Sequence, residues 1–380
     1  LSSNPKEFEV WHSQNDNRVC IRVLITQCIF TVEVVAMTNE RMRNLYARLS
    51  QAGLPKEYVA QKILPEWWSD EIAERPSGYL EAISYIAKHL GIPLSNLRNT
   101  DNSLAPQDAA AARFKLREGV NEDDVTWARA LAIRAAEIAA SGTSRPCEYS
   151  SPLNGRSVRN QILNDGSPWV NLANLTDFCW SIGFPVIHLP SVPGNKMDGM
   201  AVRADDRPVI VLSLNKKHEA WLLFILAHEL GHILRGHLDE DEAWVDEEFD
   251  LGATEMHEQE ANSFAVELIT GDPDTEASAE SYPKAHRLAQ NGLRIGKKCQ
   301  IDPGALILNF AYHDTGNVWA LASAALNELE SDPDAPALVR SKVDSNLNWD
   351  LLPKESANFL RRLMRPDTAE SDSKAEAVHA

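Results

Sequence analysis

WLLFILAHELGHILRGH, residues 221–237, decides how this chain is read. Together with the two residues before it, EAWLLFILAHELGHIL (219–234) is apolar nearly all round, which marks a helix buried in a core. Inside it stands HELGH, residues 228–232. Residues four apart lie one turn above each other on a helix, so His228 and His232 can reach one metal ion together. Glu229 follows the first histidine, where it can face a water at that metal. Burying two histidines and a glutamate in such a helix is costly unless something compensates, and a metal ion does so directly. The pattern is that of a zinc hydrolase: two ligands and a general base. Gly231, between the histidines, leaves room for another backbone to approach.

A catalytic zinc takes three protein ligands and keeps one position for water. The metzincin spacing would need glycine at 235 and histidine at 238; the chain has Arg235 and Leu238 there, which argues against that class and against His237 as the ligand. Downstream, MHEQEANSFAVELI (256–269) reads as a helix, with Ala261, Phe264, Ala265, Leu268 and Ile269 in one apolar stripe. Glu258 lies one turn before Ala261 and Asn262, on the edge of that stripe, and is the preferred third ligand. Glu260 points further round the helix and is the alternative; His257 is a weaker one. Ala261 is small enough for two helices to pack closely, and Asn262 could hydrogen-bond a zinc-bound histidine from behind.

HELGH followed about thirty residues later by E-x-x-A-N-x-F-A (Glu258, Ala261, Asn262, Phe264, Ala265) resembles the ImmA/IrrE family of zinc metallopeptidases. FPVIHLP (184–190) and GMAVRADDRPVIVLSL (199–214) resemble that family's strand and hairpin, and IDPGALILNF (301–310) and VWALASAALNEL (318–329) its C-terminal segment. The similarity covers roughly residues 155–330. It implies Zn2+ as cofactor, held by His228, His232 and Glu258, with Glu229 as catalytic base. It also implies an α+β fold: a zincin-like peptidase domain, made of a small sheet, the HExxH helix and a ligand-bearing helix, preceded by an all-helical N-terminal domain. The expected activity is that of an endopeptidase whose protein substrate is a DNA-binding repressor or antitoxin-like regulator. The alternative is a transcriptional or toxin–antitoxin-type regulator that keeps the peptidase fold for binding, with little catalysis; the intact Glu229 argues for the enzyme.

Tyr312 and His313, in NFAYHDTG (309–316), are the candidate donors to a developing oxyanion. The hairpin 199–212, turning at Asp205-Asp206, would offer an edge strand to which an extended peptide could add. Between the ligand segments, eight of the fourteen residues 237–250 are acidic. A solvated loop is the ordinary reading of such a run; beside a metal site it would also attract a basic substrate.

At 42.2 kDa the chain has room for two domains. A net charge of -18 disfavours non-specific binding to nucleic acid or anionic membranes. Cys20, Cys28, Cys147, Cys179 and Cys299 are scattered and odd in number, which points to a reducing, cytoplasmic setting without a disulfide framework. CIRVLITQCIFTVEVVA (20–36) contains Arg22 and Glu33 and is too short to span a bilayer. Residues 1–36 read as an extension ahead of a natural start at Met37, and 37–100 as a helical domain. YLEAISYIAKHLGIPLSNL (79–97) resembles the last helices of Cro/repressor-type helix-turn-helix domains. A recognition helix should fall in LPEWWSDEIAE (64–74), which is acidic, and residues 38–98 hold eight Lys/Arg against seven Asp/Glu. A DNA binder needs a basic face, so protein contact or a homodimer is preferred there and DNA is disfavoured. Residues 101–150 read as a helical connector and linker. Its helix, capped by Asn121 and ended by Gly142, includes the amphipathic VTWARALAIRAAEIAA (125–140), which should pack on a neighbour such as the N-terminal domain. The peptidase domain is expected over 151–330, with one helix and a disordered tail over 331–380.

Overall fold

The computed structural model describes residues 40–366 except 100–101, 103, 107–111, 117–125, 150–152, 195–196, 205, 239–250 and 280–282. The extension 1–36, Met37, the Asn121 cap, Asp205, most of the acidic stretch and the tail beyond 366 therefore lie outside the described residues.

The N-terminal part is helical. Helix α1 covers 40–51, and α2 (Lys56–Tyr58) runs on as a π-helical turn, Val59–Ile63. Where a recognition helix was expected there is a single 3-10 turn, Asp70–Glu74. Helix α3 (Pro76–Leu90) starts with a proline whose fixed φ suits a first turn, and it ends at Gly91 with φ 64, a left-handed cap. Helix α4 (Leu94–Arg98) follows, and α5 (Thr126–Ser141) leads into the sheet domain. The stretch before α5, part of what was expected as a helical connector and linker, carries a strand, β1 (Ala112–Leu116).

The sheet has four strands in the order β1-β3-β4-β2, where β2 is Val186–His188, β3 Met197–Ala204 and β4 Arg207–Leu212. β3 and β4 form the expected hairpin, with Met200 opposite Val211 and Ala201 opposite Ile210. β2 lies parallel to β4 on its other side, and β1 pairs antiparallel with β3. Neither hairpin strand is therefore an edge, which corrects the expectation that this hairpin offers one. Alternating side chains point to opposite faces, and here both faces are covered. Met200, Val202, Val209 and Val211 join a core with α1, α3, α5 and α14 (Lys354–Met364). Ala201, Ile210 and Leu212 join a second core with α6 (Gly155–Leu163), α7 (Leu172–Ser181), α8 (Glu219–Leu234) and α9 (Leu251–Thr270). Two covered faces explain why 209–212 is an unbroken apolar run.

Helix α5 packs on β3 and β4 as well as on α3 and α14, so its amphipathic stripe is used by the sheet as much as by the N-terminal helices. A third core joins α10 (Ala285–Cys299), α11 (Pro303–His313) and α12 (Trp319–Leu329) to Ala220 at the start of α8. The C-terminal segment holds two helices where one was expected. Helix α13 (Ala335–Asn346) lies on α7 and β2, and α14 returns to the N-terminal helices. Lys62 Nζ donates there to the carbonyls of Arg362 at 3.3 Å and Arg365 at 2.6 Å. Among the described residues no helix is long and apolar enough to cross a membrane.

Candidate metal centre

Helix α8 is buried on every side around the motif: His228 is 0%, Glu229 1% and His232 3% exposed. Helix α9 crosses it closely. A Cβ on Gly231 would stand 3.1 Å from Phe264 Cδ1 and 3.2 Å from the Ala261 backbone, so glycine facing alanine sets the approach of the two helices. The pairings of His228 with Asn262 and of His232 with Glu258 show that they run antiparallel.

That register brings three ligand atoms together. Nε2 of His228 and Nε2 of His232 lie 3.1 Å apart, facing one another. Glu258 places Oε2 3.3 Å from His228 Nε2 and Oε1 3.2 Å from His232 Nε2. Burial pushes the Glu258 carboxyl up, but hydrogen bonds and charge from the two histidines outweigh it and hold the group well below the usual carboxylate range. Ligand atoms of His228, His232 and Glu258 lie within 4.8 Å of one another and could hold a metal ion. Two imidazoles and one carboxylate are a donor set that zinc accepts, with a position left for water. Of the two glutamates weighed as third ligand, the structure brings Glu258 to the histidines and turns Glu260 away.

The other ring nitrogens are occupied behind the site. His228 Nδ1 is 3.0 Å from Asn262 Oδ1, where the sequence placed a supporting residue. His232 Nδ1 is 3.1 Å from His237 Nδ1, and His237 Nε2 is 2.9 Å from Glu260 Oε2. Burial pushes His237 down to about 4, against the pull of its Glu260 hydrogen bond, and that same bond lowers the Glu260 carboxyl. A neutral His237 therefore stands between an ionised Glu260 and a ligand imidazole. His257 stacks on His237 with ring centroids 4.2 Å apart and stays out of the ligand set.

Glu229 faces the sheet. A Cβ on Gly199 of β3 would come 2.9 Å from Glu229 Oε1 and 2.5 Å from Ile225 Cγ2, so only glycine there lets α8 seat its glutamate against the strand. Sequence reasoning missed Gly199 and the His237–Glu260 pair. A histidine five residues beyond the motif in a buried helix end was a usable signal for the pair; Gly199 gave none. Tyr312 is 75% exposed, and His313 pairs with Glu276 at 3.7 Å. Neither makes a hydrogen bond, ion pair or ring contact with the three ligands among the described residues.

No curated protein and no solved structure matches the chain. Residues 184–300, which run from β2 through both ligand helices to the end of α10, match the family model of the IrrE N-terminal-like domain, a peptidase family, and this supports for that segment the ImmA/IrrE resemblance and a metallopeptidase-like function.

Proposed function

We propose that this chain is a zinc-dependent endopeptidase that cuts a DNA-binding regulator of the repressor or antitoxin kind in the cytoplasm. The convergence of His228, His232 and Glu258, with buried Glu229 beside them, carries the reading. A zinc ion bound there would supply a Lewis acid for the scissile carbonyl and make water acidic at about pH 7. Asn262 and His237 orient the two imidazoles so that both Nε2 atoms face the same point. Glu229, shielded from bulk solvent between α8 and β3, takes the proton of the attacking water and returns it to the departing amine.

The test is to measure zinc stoichiometry and then incubate the protein with repressors encoded beside its gene, comparing wild type with Glu229→Gln. The expected result is about one zinc per chain in both proteins and a loss of cleavage on the order of a hundredfold or more in the variant. Cleavage that survives Glu229→Gln removes the mechanism. Zinc bound tightly with no cleavage by either protein points to a regulator that keeps the fold for binding.

A further inference from the structure

Between Pro283 and Ile301 the chain carries five lysines and arginines, Lys284, Arg287, Arg294, Lys297 and Lys298, and no carboxylate. All five are exposed, and none of their side chains enters an ion pair, hydrogen bond or ring contact among the described residues. In a chain where 55 acidic residues face 37 basic ones, several cations elsewhere are paired, such as Lys56 with Asp70, Lys88 with Glu355 and Lys342 with Asp177, and those that are not, such as Arg75, Lys217 and Lys354, do not gather five on one helix free of carboxylates.

Helix α10 sorts these residues cleanly. Leu288, Ala289, Gly292 and Gly296 form its buried stripe. Gly292 sits against Ile307, and a Cβ on Gly296 would stand 2.5 Å from Ile301 O, so the helix is seated firmly on α11. At about 100° per residue, Arg287, Arg294, Lys297, Lys298 and the exposed amides Gln290 and Asn291 fall on the opposite side, and Lys284, the N-cap, extends this face at one end. From Lys284 to Lys298 the stripe is about 21 Å long at 1.5 Å per residue.

We propose that the outward face of α10 docks on the phosphate backbone of duplex DNA. Arginine and lysine hold phosphate oxygens, and amides between them add hydrogen bonds without reading bases. A stripe of that length spans about six base-pair rises of 3.4 Å. A protein partner would call for an apolar centre ringed by polar groups. Here the apolar side chains with appreciable exposure, Leu293 at 37% and Ile295 at 39%, flank the buried stripe and leave the middle of the cationic face without any. The overall charge of -18 does not forbid contact. Screening over about 8 Å at physiological salt leaves the local patch to govern the encounter.

The test is fluorescence anisotropy of the full-length protein with a labelled mixed-sequence 24-base-pair duplex across a sodium chloride series. Each phosphate contact contributes about 0.9 to the slope of log affinity against log salt, so five cations give a slope of about -4.5. Arg294→Gln/Lys297→Gln/Lys298→Gln is expected to flatten that slope by about 3 and to weaken binding on the order of a hundredfold at ~0.1 M salt. Lys284→Gln/Arg287→Gln, at the other end of the stripe, should flatten it by about 2. A charge-matched control, Lys216→Gln/Lys217→Gln/Lys354→Gln, leaves it unchanged. Equal zinc content and thermal midpoint in all variants show that the fold is intact. No binding by wild type at low salt overturns the proposal, as does an equal loss in the control. Tighter binding to polyaspartate than to the duplex assigns the face to an acidic protein instead. Self-association that the α10 variants abolish assigns it to a second copy of the chain.

Discussion

His232 is fixed at both ends of its ring, and the sense of the fixing matters. With Glu260 ionised, the Nε2–H of His237 points at the carboxylate, which leaves His237 Nδ1 as an acceptor. The Nδ1–H of His232 must then donate to it, and Nε2 keeps its lone pair for a metal. Glu260 is 40% exposed, so removing it opens no buried cavity. Glu260→Ala is therefore expected to weaken zinc binding about 10- to 100-fold while the unfolding midpoint of the metal-free protein stays put. Competition against a chromogenic chelator measures this, and an unchanged affinity would show that the chain of rings does not act on the metal. Glu258 and Glu260 are the same residue type two positions apart, and only the apolar stripe of the helix distinguishes them in sequence: two residues are about 200° of turn. Gly199 was not legible, because its partners lie on another element and depend on tertiary register; His237 left a local mark five residues past the motif, but its pairing with Glu260 across the seam did not.

At the scale of elements, the seam between α8 and α9 carries the site. One helix supplies two ligands and the other the third, so their separation sets whether the three meet. Gly231→Val would put two methyl groups where a single Cβ already comes within 3.1 Å of Phe264. Overpacking of this kind costs about 1–3 kcal/mol, and forcing the helices apart would also draw Glu258 away from the imidazoles. Urea unfolding should show the loss, and added zinc should raise the midpoint of the variant less than that of wild type. A variant stabilised by zinc as strongly as the parent would mean that the ligands tolerate a wider seam. Both helices were readable in sequence, since a 3.6-residue stripe and an all-round apolar run are local signals. The hairpin was readable too. β1 was not: it is five residues long, and what makes it a strand is pairing with β3, about ninety residues further on. Without β1 in view, the hairpin was expected to be an edge.

For the whole molecule, the sheet is the partition on which two cores are built, and α14 ties the end of the chain to its N-terminal helices. Lengths, apolar content and helical periods announced helices at both ends, but the docking of residues 354–364 on 59–63 is a long-range contact with no local mark. At this junction His89 of α3 is 0% exposed and stacks on Phe359 with centroids 3.7 Å apart. Neither of its ring nitrogens makes a hydrogen bond among the described residues, though Nε2 lies 3.3 Å from Glu355 Oε1. Burial, then the charges of Arg134, Lys88 and Arg362, push it down from 6.5 to about 3. On β2, burial likewise takes His188 to about 4, against a hydrogen bond to the Leu214 carbonyl. Both folded values are depressed, so below about pH 6.5 the unfolded chain binds protons that the folded chain refuses. Stability is level in these terms above pH 6.5 and falls by about 1.4 kcal/mol per pH unit per histidine as the medium becomes acid. Asp302, the half-buried N-cap of α11, is pushed up to about 6 by desolvation and works in the opposite sense. Folding raises its proton affinity, so it gains stability as pH falls through that value. Wild type alone therefore cannot isolate His89, but His89→Leu against wild type can. Between pH 7.5 and pH 5 the variant is expected to lose about 2 kcal/mol less than the parent in urea unfolding. Identical losses would mean that His89 is protonated inside the fold, with Glu355 as its counter-ion.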